Sequence, residues 1–365
     1  MNPLAELLLN ECDFGAASLL PSNQIKLSEH DISHLQSNQQ NQQLQQLQSV
    51  VATQLVTPLP QFAQTMEYCE SKSKEKLNFA RFSYNGLQII SGAKDHCCKV
   101  LDVTKARLDN QTKMQRQFNQ GDTQRFRRTF YGHTDSVTDG CISPSHELLV
   151  SCSHDTELRF YNLSEADNDS LIYSETLGQL IQSMDFLSSS QLICGLENGQ
   201  VLVFDLERRL NYATEIANNG SVRKLRAKKG TMGLLSADRY EQRDLRFNGP
   251  AQQILGQFND FQMMQDRVLI ASPIGGLVYD IRNTHQPMMQ IPGMSLSCSS
   301  MFYDQYYLGI DPNGRLLIHT NDGSPVQYFD SQLQRKYNLS QVNGSPVEKT
   351  FCYIYDKTFY CVDAQ

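Results

Sequence analysis

The stretch "YGHTDSVTDGCISPSHELLVSCSHDTELRFYNL", residues 131–163, decides how the rest of the chain is read. It opens with Gly132-His133 and closes with Tyr161-Asn162. Between them lie two short apolar runs and an Asp, Asp155, in a tight turn. Short β-rich runs bounded by turn residues read as strands of a hairpin-connected unit. The chain has no Trp, so the aromatic that closes this unit is a Tyr.

If the unit repeats, strands ending like "LRFYNL" should recur every 40–45 residues or so. Seven candidates do. They are "LQIISGAKDHCCKVLDV" to Leu101-Asp102, the opening stretch to Tyr161-Asn162, and "QLICGLENGQVLVFDL" to Phe204-Asp205. Then come "TMGLLSADRYEQRDLRF" around Leu245-Arg246 and "RVLIASPIGGLVYDI" to Tyr279-Asp280. The last two are "YYLGIDPNGRLLIHT" around Ile318-His319 and "FCYIYDKTFYCVD" to Val362-Asp363. From Asp102 through Asn162, Asp205, Arg246, Asp280 and His319 to Asp363 the steps are 60, 43, 41, 34, 39 and 44 residues. The long first step holds a polar insert, "TKARLDNQTKMQRQFNQGDTQRFR", which reads as an exposed loop. Asn85-Gly86, Asn198-Gly199, Gly275-Gly276 and Asn313-Gly314 supply the positive φ angles of tight turns. The last three are placed between the final two strands of their units. The expected fold is all-β, a seven-bladed propeller over residues 65–365. A β-sandwich with regular strand spacing is the alternative.

A propeller leaves no open sheet only if its first and last blades join. "TMEYCES", 65–71, precedes the first blade's inner strand and is placed to supply the outer strand of the last. In this repeat class a His, a Ser or Thr, a turn Asp and the closing aromatic form one hydrogen-bonded chain. Here those positions are His133, Ser151, Asp155 and Tyr161. Tyr serves because it keeps an apolar ring with one polar handle. The His133–Asp155 pairing resembles a catalytic pair, and a structural network is the favoured reading. The other units lack the full set and are expected to rely on packing.

Residues 1–35 follow another pattern. Asn2 caps a helix with Pro3 at its first position, and Leu4, Leu7 and Leu8 share a face. Gly15 interrupts, Leu19 and Leu20 resume, and Pro21 ends the run, which makes Leu4, Leu7, Leu8, Phe14, Leu19 and Leu20 the candidate dimerisation residues. A helical hairpin this small does not bury its own apolar face. Self-association is the expected remedy, with docking on the propeller as the alternative. Residues 36–64 contain "QSNQQNQQLQQLQ" and read as a Gln-rich linker.

The chain has 365 residues and a net charge of −7, which weighs against a general nucleic-acid binder. No basic n-region precedes the first apolar residues, and no apolar run is long enough to span a membrane. Ten scattered Cys without a Cys-x-x-Cys pair read as buried thiols of a reducing compartment, against disulfides or zinc. No phosphate loop, His-Glu-x-x-His or G-x-S-x-G occurs, so no enzyme, cofactor or metal is expected. One basic cluster stands out: Arg223, Lys224, Arg226, Lys228 and Lys229. It reads as a patch for an acidic partner, a phosphopeptide or RNA, or as a solvated strand edge guarded by cations.

"FARFSYNGLQIISGAKDHCCKVLDV", the long insert and "RRTFYGHTDSVTDGCISPSHELLVSCSHDTELRFYNL" together resemble the WD40 subunit of cleavage stimulation factor, which works on messenger RNA 3′ ends. "LAELLLNECDFGAASLL" is similar to that family's N-terminal helical dimerisation module. The resemblance covers residues 4–20 and 65–163. It implies a nuclear, non-catalytic scaffold that dimerises through its N-terminal helices. It also implies a partner, the complex's helical-repeat subunit, with RNA contact secondary. The WD40 subunit of a histone methyltransferase complex matches on blades alone.

Overall fold

The computed structural model describes residues 61–62, 65–106, 127–164, 170–206, 210–214, 220–228, 230–244, 252–328 and 338–364. The helical hairpin expected over 1–35, including Leu4, Leu7, Leu8, Phe14, Leu19 and Leu20, lies outside the described residues, as does the linker up to residue 60. Contacts divide the chain after Pro58, and the fold described here belongs to the second unit.

Seven antiparallel sheets follow one another along this unit. Blade 1 holds Leu77–Phe82, Gln88–Ala93, Cys98–Asp102 and Arg127–Phe130. Blade 2 holds Val137–Ile142, Leu148–Ser153, Glu157–Asn162 and Leu171–Thr176. Blade 3 runs from Ile181–Phe186 to Leu210–Thr214, and blade 4 from Lys224–Lys228 to Gln252–Leu255. Blade 5 runs from Asp260–Met263 to Met289–Ile291. Blade 6 has three strands, Ser297–Met301, Tyr306–Ile310 and Leu316–Thr320. Blade 7 takes Leu339–Gly344, Thr350–Tyr355 and Thr358–Ala364 from the end of the unit. Its outer strand comes from the beginning: Thr65–Lys72 pairs antiparallel with Thr358–Ala364. The segment "TMEYCES" therefore lies where the closure argument puts it.

Closure is also visible in the core. Buried apolar side chains form seven clusters among the described residues, one at each junction between neighbouring blades. Phe82 and Ile89 of blade 1 pack with Ile354 and Phe359 of blade 7 at the junction that closes the ring. Each blade is covered on both faces, so second strands read as continuous apolar runs. Leu192, Ile193 and Cys194 are all fully buried for this reason.

Four details depart from the sequence reading. The 104–127 insert lies within blade 1, between its third and outer strands, and not between blades. It begins with a helical turn at 103–106 that buries Val103 and Ala106. The third strand of blade 4 ends at Asp244, so the repeat position falls on Arg243-Asp244 and not on Leu245-Arg246. The turn at Asn198-Gly199 joins second and third strands, because an outer strand still follows, and Gly275-Gly276 opens the third strand of blade 5, whereas Asn313-Gly314 does join the last two strands of three-stranded blade 6. Gln61–Phe62, placed in the linker, pairs in parallel with Gln327–Tyr328 beyond the edge of blade 6.

Candidate interaction surface

The blade 2 network is built by two turns meeting at one end of the sheet. His133 Nδ1 lies 2.8 Å from Asp155 Oδ2, and its Nε2 lies 2.8 Å from Ser151 Oγ. Asp155 also accepts from the backbone N–H groups of Thr134 and Glu157. Tyr161 donates its hydroxyl to the Tyr131 carbonyl at 3.2 Å. Burial holds the His133 pKa below its ordinary value, against the pull of Asp155. Burial acts to raise the Asp155 carboxyl, and its backbone and His133 hydrogen bonds outweigh that, so it sits low. A neutral imidazole then donates from Nδ1 to Asp155 and accepts the Ser151 hydroxyl at Nε2. Burial pushes the Tyr161 hydroxyl up to about 12. Ser, His and Asp stand in triad order, but Ser151 is 0% exposed. A nucleophile needs room for the reacting atom within about 3 Å, and this one has none.

Blade 1 carries a second network that the sequence reading missed. Ser73 Oγ donates to Asp95 Oδ2 at 2.5 Å, and Lys99 Nζ donates to both, at 2.6 Å to Ser73 and 3.0 Å to Asp95. Asp95 holds the turn position that Asp155 holds in blade 2. The expectation that other units rely on packing fails here, because a buried Lys supplies the donor in place of the imidazole.

The inner strands line a central channel, and those of blades 1, 3, 4, 6 and 7 turn backbone N–H groups toward the preceding blade. Side chains of the preceding blade accept them. Asp139 of blade 2 takes Met184 N, while Ser183 and Asp185 of blade 3 take Leu225 N and Ala227 N. Asp260 of blade 5 takes Cys298 N, and Ser297 and Ser299 of blade 6 take Val342 N and Gly344 N. Gln341 and Asn343 of blade 7 take Ala80 N and Phe82 N, which carries the pattern across the closing junction. Acceptors two residues apart face the same side of a strand, so the spacing follows from the pleat.

This geometry redistributes the basic cluster. The strand Lys224–Lys228 buries Leu225 and Ala227 and turns Lys224, Arg226 and Lys228 to the channel. Each cation meets a carboxylate of another blade: Lys224 meets Asp260, Arg226 meets Asp139 at 2.9 Å, and Lys228 meets Asp304 at 3.3 Å. Arg223 is exposed and donates to the Phe258 carbonyl at 3.2 Å. Lys229 lies outside the described residues. The cluster is thus an inner strand and not an outer edge.

Arg81 completes a charged plug. It donates to Asp185 at 2.8 Å and stands 3.8 Å from Asp139, which also meets Arg226. Burial acts to lower the Arg81 pKa, but Asp185 and Asp139 raise it further than burial depresses it. Burial acts to raise the Asp139 carboxyl, and Arg226 and Arg81 hold it low. The plug separates a cavity of about 390 Å³, where the inner strands begin, from one of about 160 Å³, where they end. Arg226 lines both.

The face where the inner strands begin also carries the loops between blades and the turns between second and third strands. Tyr131, Leu255, Ile274, Leu296 and Tyr355 are exposed there, at 61%, 75%, 69%, 41% and 41%. Loops and strand ends carry no periodic signal, so sequence reasoning did not single them out. Among the described residues no group of three His, Cys, Asp or Glu is arranged to hold a metal ion. No described helix is long and apolar enough to cross a membrane.

This fold and repeat define a β-propeller that contains a WD40 repeat. Residues 124–162 match the family model of the WD domain, G-beta repeat. The chain is similar to human striatin, 29% identical over 140 residues, which is 37% of this chain and 17% of striatin. It is also similar to cleavage stimulation factor subunit 50 of Arabidopsis thaliana, 30% identical over 97 residues, 26% of this chain and 20% of that protein. These matches thus span a fifth or less of each relative's length. Among solved structures it resembles the β-propeller domain of Myceliophteria thermophila Cps50 (Swd1), with a TM-score of 0.63 at 12% identity. That likeness covers 82% of this chain and all of the other, and it concerns the fold alone.

Proposed function

We propose that the chain is a non-catalytic scaffold subunit of the nuclear machinery that cleaves and polyadenylates pre-mRNA. The observation that carries this reading is the closed ring itself. Its Ser–His–Asp group is sealed, while the loop face around the channel is open and bears apolar side chains beside cations. Such a face recognises another protein. The similarity to the Arabidopsis cleavage stimulation factor subunit supports the pathway, together with a first blade that carries a long insert ahead of the His133 blade. The partner in this reading is a helical-repeat subunit, which provides a segment for the propeller to hold. Self-association of residues 1–35 through Leu4, Leu7, Leu8, Phe14, Leu19 and Leu20 doubles the valency and raises the effective concentration at the second site.

The longer match, 140 residues of striatin against 97, favours a second reading, a propeller subunit of a different assembly. A histone methyltransferase complex is one example. Purification through a C-terminal tag from the protein's own cells, followed by mass spectrometry, separates them. Cleavage and polyadenylation subunits in stoichiometric amounts are expected. Methyltransferase subunits, or no stable companions, would remove the first reading.

A further inference from the structure

The larger channel mouth has an unbalanced charge. Four cations line it, Lys76, Arg223, Lys224 and Arg226, against two carboxylates, Asp139 and Asp260. Both carboxylates are already engaged. Asp260 meets Lys224 and accepts from Ser297 Oγ and Cys298 N. Asp139 meets Arg226 and accepts from Ser183 Oγ and Met184 N. Lys76 and Arg223 have no carboxylate partner among the described residues, although Arg223 gives one hydrogen bond to a carbonyl. Arg226 bonds to Asp139, Ser183 and the Leu225 carbonyl through Nη1, and the residue lines both channel cavities. A chain of net charge −7 therefore gathers positive potential at one mouth.

One exposed apolar side chain borders that mouth. Leu296 lines the cavity at 41% exposure, while Ile274, in a turn of blade 5, and Leu255, at the end of blade 4's outer strand, lie exposed elsewhere on the same face. The one aromatic ring in the lining, Phe79, is 4% exposed, so no platform for stacking a base is offered.

We infer that this mouth holds an acidic, leucine-bearing extended segment of a partner protein, with a carboxylate entering between Lys76, Arg223 and Arg226. An arginine fork matches a carboxylate in two parallel hydrogen bonds, and the flanking lysine adds charge without geometry. A leucine side chain of the segment covers Leu296. A single-stranded nucleic acid fits less well, because it needs a basic track along its backbone and exposed rings to stack on. The inference rests on reading the propeller as a protein-binding scaffold and names the chemistry of what it binds.

The test uses the full chain and fluorescence anisotropy. The probes are a labelled peptide of alternating Glu and Leu, the same peptide with Lys for Glu, and single-stranded RNA of equal formal charge. The Glu peptide binds, weakens as salt rises, and loses about tenfold or more in affinity with Lys76→Glu plus Arg223→Glu. Lys76→Gln plus Arg223→Gln, which keeps both sites neutral, loses less, and Arg282→Glu on the other face leaves binding unchanged. Thermal melting checks that each variant folds. Absence of Glu-peptide binding, binding indifferent to the mouth variants, or tighter binding of RNA at the same site would overturn the inference. Tagged purification keeps the two ideas apart. If stoichiometric companions remain while the Glu peptide fails, the mouth assignment falls and the scaffold reading stands.

Discussion

His133 shows how one side chain can look functional and act through stability. It is buried, neutral and bonded at both nitrogens. His133→Ala should cost about 1–3 kcal/mol in chemical denaturation, since Asp155 and Ser151 lose their partner inside the blade. The pH dependence has a definite sign. The folded pKa lies below the unfolded value of about 6.5, so the unfolded chain takes up a proton that the folded one resists. Stability should fall as pH drops through that value towards 5, and His133→Asn should flatten part of the slope. His319, also held low by burial, supplies another part. A slope unchanged in His133→Asn would show that the imidazole does not titrate as argued.

Arg81 makes the same point with charge. Its guanidinium and the Asp185 carboxylate are nearly buried, at 10% and 3% exposure. Arg81→Ala leaves two buried carboxylates short of a cation and should cost about 3–5 kcal/mol, more than the loss of an exposed pair such as Arg282–Asp266. Equal melting temperatures for Arg81→Ala and Arg282→Ala would contradict the plug. At this scale the sequence was partly legible. The four-residue set of blade 2 could be named because a repeat motif labels each position. Arg81, Asp139 and Asp185 could not, since each is the one charged residue of its strand and no motif marks it. Only the ring brings them together, across separations of up to 104 residues.

Elements were legible where period and turn chemistry agreed, and less so where one end of a unit lacked a marker. Blade 4 ends its third strand with Arg243-Asp244, without an aromatic, and the repeat position was read two residues late. The first insert reads from sequence only as an exposed loop, because the outer strand behind it, Arg127–Phe130, is short and basic and carries no alternation. Turns provide a direct test. Gly314 has φ +73° and no room for a Cβ, which would collide with the backbone of Asn338. Gly178 has φ +67° and open space around it. Both substitutions to Ala pay the left-handed strain of about 1–2 kcal/mol, but Gly314→Ala should be clearly the worse of the two in thermal melts. Equal costs would mean that backbone strain alone sets the effect and that the blade 6–blade 7 contact yields freely.

The whole molecule depends on closure. The strand Thr65–Lys72 joins the last blade, and Gln341 and Asn343 bond back to the first. Removal of residues 1–60 should leave a cooperatively folding ring. Removal of residues 1–72 should expose the edge of Thr358–Ala364 and lower the melting temperature sharply, with aggregation. Equal melting of the two truncated chains would refute closure by this strand. The seven-fold repeat was legible from spacing, whereas the interaction face was not. Propeller surfaces are made of loops, and loops carry neither period nor pattern.

The functional claim is tested most directly in an extract of the protein's own cells competent for pre-mRNA 3′ cleavage. Immunodepletion of the protein should abolish cleavage of an added substrate RNA. Wild-type chain should restore it, and the Lys76→Glu plus Arg223→Glu chain should restore it poorly. Cleavage that continues undiminished after depletion would contradict the account.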